Sequence, residues 1–175
     1  MSYPEDLTYP EPRYHGDKGE VNAVFRPADT PPDLSSPGGS TSYLATNDST
    51  GGEFGLYKVE LAARAAGAKV HFHKAMSESF YILSGELELY NGEKWVKGRT
   101  GDFLYVPVGG LHGFRNATDE PMSMLMLFSP GAPREEYFER VAEMSQRGSE
   151  ELKRFRVRHD SYFVEDFDNG AEQAG

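Results

Sequence analysis

The chain has 175 residues, 38% of them hydrophobic and 26% charged, which fits one domain large enough to bury a core. Its formal charge of −10 argues against a nucleic-acid partner, because phosphate binding needs a basic surface. Cysteine is absent, so disulfides and thiolate metal ligands are excluded and any metal must take nitrogen and oxygen donors.

Residues 1–20 contain Pro4, Pro10 and Pro12 and no periodicity, which predicts an extended arm. The opening MSYPEDLTYPEP has neither the positive charge nor the apolar stretch of a signal peptide. No apolar run approaches the roughly 20 residues that span a bilayer, so a cytoplasmic location without a membrane partner is expected. VNAVFR (21–26) alternates weakly and is a candidate first strand. PADTPPDLSSPGGS reads as a loop, SYLAT as a short strand and NDSTGG as a turn.

From residue 53 the period-two signal is strong. In FGLYKVELAAR, Tyr57, Val59 and Leu61 share one face, and Lys58 and Glu60 the other. KVHFH, SFYILSG, ELELYNG, EKWVKG, DFLYVP, HGFRN and MSMLMLFS continue as short strands, with a hairpin turn predicted at Asn91-Gly92. Roughly eight to ten such strands, punctuated by turn residues, indicate an all-β sandwich or barrel. The β pattern ends at Ser129-Pro130-Gly131. PREEYFERVAEMSQR then predicts a helix with Pro133 in its first turn and Tyr137, Phe138, Val141 and Met144 on its apolar face. SEELKRFRVRHDSYF is expected to contain a second helix that starts at Ser149 as N-cap. The expected organisation is an arm (1–20), a barrel (21–130), a helical segment (131–167) and a disordered tail (168–175).

His71-Phe72-His73 is the first chemical signal. Residues i and i+2 of a strand project from one face, about 7 Å apart, so both imidazoles can reach one ion at the ~2.1 Å of a metal–nitrogen bond. Taken alone, such a pair is more often two partly exposed histidines. Glu78 follows a polar turn and leads an apolar strand, where a carboxylate is costly to bury unless paired or metal-bound. His112 lies in VPVGGLHGFRN, between turn glycines and another strand. His15 and His159 stand outside these segments and are read as surface residues.

Together the segments form two spaced motifs. His71, His73, Glu78 and Gly85 spell H-x-H-x4-E-x6-G, and Gly101, Pro107, Gly109, His112 and Asn116 spell G-x5-P-x-G-x2-H-x3-N. Fifteen residues (86–100) separate them. Residues 54–128 therefore resemble the single-domain cupins. The family's opening glycine normally lies six positions before the first histidine, whereas here Gly67 lies four before it. The resemblance implies a double-stranded β-helix, a jelly-roll barrel, with His71, His73, Glu78 and His112 turned inward as ligands of one divalent ion. Three imidazoles and a carboxylate suit Fe, Mn, Co, Ni, Cu or Zn. Asn116 is too far along the chain to ligate and is expected to hold a turn.

Strand parity places Phe114 on the face of His112, and Phe80 and Ile82 on that of Glu78. Tyr57, Val59, Met124 and Met126 are expected to complete an apolar wall, and Tyr105 offers a phenol whose parity the sequence leaves open. Such a pocket favours a flat, hydrophobic small molecule as substrate. The chain also resembles quercetinase-type dioxygenases, which implies an oxidoreductase acting on an aromatic or enolisable, oxygen-chelating metabolite, with Glu78 as ligand and general base. A non-redox isomerase, cyclase or lyase, and a binding protein without catalysis, are the alternatives. Exposed edge strands and the Pro-rich arm suggest a homodimer.

Overall fold

The structure, a computed structural model, describes residues 10–168. Strands β1 (Leu34–Ser36), β2 (Gly39–Ala45), β3 (Gly55–Leu61), β4 (Ala68–Phe72), β5 (Ser77–Ser84) and β6 (Glu86–Tyr90) come first. After them follow β7 (Trp95–Arg99), β8 (Phe103–Val106), β9 (His112–Arg115) and β10 (Met122–Ser129). A one-turn helix α1 (Asn47–Thr50) interrupts the first group, and α2 (Glu135–Met144), α3 (Ser149–Arg158), β11 (Tyr162–Phe163) and α4 (Glu165–Asp168) close the chain. The strands form a six-stranded sheet in the order β1-β2-β3-β10-β5-β8 and a five-stranded sheet in the order β11-β4-β9-β6-β7, a jelly roll with antiparallel pairing.

Alternation along each strand decides what lies between the sheets. Tyr57 and Val59 of β3, Phe80 and Ile82 of β5, Leu87 and Leu89 of β6, and Met122, Met124, Met126 and Phe128 of β10 all point inward and are buried. Each such side chain contributes about 1.5–3 kcal/mol on burial. At the β6–β7 turn, the Asn91 side-chain oxygen accepts from the backbone N–H of Glu93 and Lys94, so the predicted hairpin is locked by a side chain.

Several local expectations are corrected. Residues 21–26 form no strand: no sheet ladder among the described residues includes them, and Phe25 is 86% exposed. Within the predicted loop, Leu34–Ser36 pairs with β2 across the Pro37-Gly38 turn. NDSTGG begins as helix α1, because Thr46 and Ser49 close a reciprocal capping box before Gly51 ends the turn. Ser149 is the first residue of α3 rather than its cap; Gly148 holds that place. Pro133 precedes the Arg134 N-cap of α2 instead of lying in its first turn. Tyr162 and Phe163, placed within the helical segment 131–167, are a strand against β4. Residues 1–9 of the expected arm and 169–175 of the expected tail lie outside the described residues. No helix among the described residues is long and apolar enough to cross a membrane.

Candidate metal centre

Strand β4 delivers His71, and His73 follows one residue past its end. His71 pairs directly with His112, the first residue of β9. Glu78 enters from β5, one residue after that strand begins. Phe72 turns away and stacks on Tyr162. All four donor residues are buried, and one donor atom from each lies within 4.8 Å of the others.

The imidazoles are oriented by the backbone. Nδ1 of His71 meets the Lys69 carbonyl at 2.8 Å, Nδ1 of His112 meets the Gly110 carbonyl at 2.9 Å, and Nδ1 of His73 meets the Asp160 carbonyl. A carbonyl only accepts, so each Nδ1 carries a proton and each ring turns its Nε2 inward, where a lone pair can bind a cation once no proton occupies it. Two of these atoms face Glu78 Oε2, at 3.0 Å from His73 and 2.7 Å from His112. Lone pairs gathered around a carboxylate oxygen repel unless a proton or a cation lies among them. The donor set thus fits a divalent metal ion, with three nitrogens and one oxygen already directed at a common point.

Charge effects agree with this packing. Burial and the neighbouring His112 push His71 down to about 3, so it stays neutral. Burial alone would lower His112, but the charge and hydrogen bond of Glu78 outweigh it and the net shift is upward. Burial would raise Glu78, yet His112 and His73 hold its carboxyl well below the usual range.

The C-terminal segment builds the far side. Asp160, left-handed at φ 53°, gives its carbonyl to His73 while its carboxylate accepts from Lys74 N and Ala75 N. Phe163 of β11 stacks on the His71 ring at 4.7 Å and 9°, and the Arg156 guanidinium lies 3.9 Å above the same Phe163 ring. Asn116 holds the loop after β9, donating to the Ala62 and Glu120 carbonyls and accepting from Thr118.

A protein-family model described as the cupin domain matches residues 57–128, a span that contains all four donors. The chain carries a cupin domain. Among curated proteins, it is 41% identical over 61 residues to an uncharacterized protein of Aquifex aeolicus, covering 34% of this chain and 49% of that one. It is 28% identical over 97 residues to the polyketide synthase CurC of Streptomyces cyaneus, covering 55% and 63%. It is 33% identical over 45 residues to the quercetin 2,3-dioxygenase of Bacillus subtilis, covering 26% and 13%. The chain therefore spans less than two thirds of the length of each curated relative. Among solved structures, a predicted oxalate decarboxylase of Thermotoga maritima superposes with a TM-score of 0.55 at 21% identity, covering 62% of this chain and 99% of that one. That likeness supports the cupin fold alone.

A cavity of about 640 Å³ opens onto the donors of this cupin, with His71 and Glu78 on its wall. Of the residues expected to line it, Val59, Phe114 and Met126 do. Tyr57, Phe80, Ile82 and Met124 face inward but lie in the packed core behind that wall. Phe80 supports the rings of Phe114 and His112, at centroid distances of 5.7 and 6.0 Å. Tyr57 donates to Glu135 Oε1 at 2.7 Å and so anchors α2 to the barrel. Tyr105 points to the outer face and is 58% exposed, so it offers no phenol to the site. His159 is not a surface residue: its side chain is 7% exposed and packs on Phe155 and Tyr137.

Phe128, Arg134, Tyr137 and Phe163 also line the cavity, and none of them was expected there. Phe128 shares the strand parity of Met124 and Met126, a signal that could have found it. The other three come from the segment after the barrel, whose amphipathic pattern shows an apolar face without showing what that face covers.

Proposed function

We propose that this protein is a metal-dependent cupin enzyme, an oxidoreductase of the dioxygenase type, acting on a small aromatic or enolisable metabolite with neighbouring oxygens. The observation that carries this reading is the convergence of three backbone-anchored imidazoles and Glu78 at the wall of an aromatic-lined cavity. His71, His73, Glu78 and His112 would hold the divalent ion. When bound, such an ion polarises a ligated oxygen as a Lewis acid and, where redox-active, opens chemistry with dioxygen.

The protein's own groups have separate tasks. Both imidazole contacts of Glu78 use Oε2, while Oε1 has no hydrogen-bond partner among the described residues. Oε1 is the atom that would accept a proton from the metabolite's hydroxyl or acidic C–H. His71, held neutral by burial, keeps its lone pair available at neutral pH. Phe114, Phe128 and Phe163 offer flat apolar surface that would orient an aromatic ring and exclude water. The partial likeness to the quercetin dioxygenase supports an oxygen-consuming reaction. The longer partial likeness to a polyketide synthase supports a second reading, in which the same site acts on a polyketide-type metabolite; Lewis-acid polarisation by the ion would then serve a non-redox cyclisation or isomerisation.

Oxygen uptake measured with flavonols and β-diketones, on protein loaded with Fe, Ni or Mn, tests the first reading. Oxygen-dependent turnover that disappears in Glu78→Gln is the expected result. Turnover under strict anaerobiosis would replace it with the second reading. Tight binding without consumption under any metal would leave a non-catalytic binding protein.

A further inference from the structure

Arg134 is buried beside the candidate metal centre, only 3% exposed, and lines the same cavity as His71 and Glu78. Its hydrogen bonds run from one terminal nitrogen, Nη1, to the His159 carbonyl and to Ser161 Oγ. Its Nε is buried without a hydrogen-bond partner among the described residues. No carboxylate among the described residues lies within ion-pair distance of it. The guanidinium rests instead against aromatic faces, 4.3 Å from the Tyr137 ring centre and 5.1 Å from that of Phe128.

A buried cation is costly unless it is paired, and cation–π contacts compensate only in part. The other charges on this wall already have partners. Arg156 is paired with Asp166 at 3.0 Å, and Lys69 with Glu165 at 2.6 Å. Glu60 is paired with Lys58, and Glu139 accepts from Tyr43. Glu78 is committed to His73 and His112. Gripping a carbonyl and a hydroxyl needs a donor but not a charge, and the aromatic faces offset only part of the cost of burying one, so these contacts leave the charge of Arg134 incompletely compensated.

We infer that Arg134 binds a carboxylate of the cavity's ligand, so that the protein takes small aromatic or enolisable carboxylic acids. This rests on the reading of the cavity as the substrate site. A guanidinium matches a carboxylate through its fan of N–H donors, and here the second terminal nitrogen, Nη2, makes no hydrogen bond among the described residues and is not sealed off as Nε is. The apolar surroundings strengthen the pairing and discriminate against a neutral analogue of the same shape, which would leave the charge uncompensated.

The test is isothermal titration of salicylate and its neutral isostere salicylamide into metal-free protein, zinc-loaded protein, Arg134→Gln, Arg134→Lys and His112→Ala. Salicylate should bind the metal-free protein at least about tenfold more tightly than salicylamide, as expected for one charge-assisted pair. That ratio should fall to near one in Arg134→Gln and largely survive in Arg134→Lys. If the metal reading fails while this inference holds, zinc and His112→Ala will leave the ratio and the affinity unchanged. Equal affinities for acid and amide in the wild-type protein would overturn the inference, as would no salicylate binding at millimolar concentration. A ratio unaltered in folded Arg134→Gln would do the same. Should Arg134→Gln not fold, the wild-type ratio and Arg134→Lys decide the matter.

Discussion

Replacing Asp160 by Ala tests whether the C-terminal segment holds the metal centre together. The Asp160 carboxylate accepts from Lys74 N at 3.0 Å and Ala75 N at 2.8 Å, and its backbone carbonyl accepts a hydrogen bond from His73 Nδ1. A hydrogen bond to a charged group contributes about 1.5–3 kcal/mol. Both amides are near the surface, so water recovers part of that loss. The backbone at φ 53° adds about 1–2 kcal/mol against Ala, because Asp tolerates the left-handed region better. The local cost is therefore about 2–4 kcal/mol, comparable with the ~1.4–2.8 kcal/mol that a ten- to hundredfold loss of affinity represents. Loss of a partner that orients a ligating histidine typically weakens metal binding by about that factor. Competition with a chromophoric chelator, using zinc, should show this loss in Asp160→Ala, and Asp160→Asn should recover most of it. Folded Asp160→Ala with zinc affinity within about twofold of wild type would refute the coupling.

Glu78→Gln and His112→Ala should each reduce metal content after equilibration with zinc by at least about tenfold, because each removes a donor from a four-donor set; elemental analysis reads this directly. Undiminished loading would place the metal elsewhere. The proton that Glu78 favours on His112 must leave before a metal can bind, and the His112 pKa lies above its ordinary value of 6.5. Metal affinity should accordingly rise with pH through and beyond 6.5, with proton release visible by calorimetry in buffers of differing ionisation enthalpy; flat affinity from about pH 6 to 8 would contradict it. Gly67 sits at φ 63°, and a Cβ there would fall 2.1 Å from the Phe114 carbonyl oxygen. Gly67→Ala should cost at least about 2 kcal/mol and lower the melting temperature by roughly 4–8 °C, while an unchanged melting temperature would show that this backbone approach relaxes freely.

Strand parity and the two motifs were legible because they are local properties. Period two puts Tyr57 with Val59, Glu78 with Phe80 and Ile82, and His112 with Phe114, whatever the strands pair with. Asn116 could likewise be read as a turn holder, since most of its partners lie within a few residues. Tyr162 and Phe163 were misread because their strand exists only through pairing with β4, about ninety residues earlier. Arg134, Tyr137 and Asp160 were missed for the same reason.

The sequence by itself indicated a sandwich or barrel of short strands and put His71 and His73 on one face, because spacing along a strand is set by covalent geometry; that Glu78 and His112 face the same interior was what the cupin resemblance implied. Only the tertiary structure decided which inward side chains line a cavity and which fill the core. It alone showed that Tyr105 faces outward, that Asp160 and Phe163 touch His73 and His71, and that Arg134 lines the cavity. These outcomes depend on how two sheets and the returning C-terminal segment pack against one another, and no periodicity within a single element encodes that.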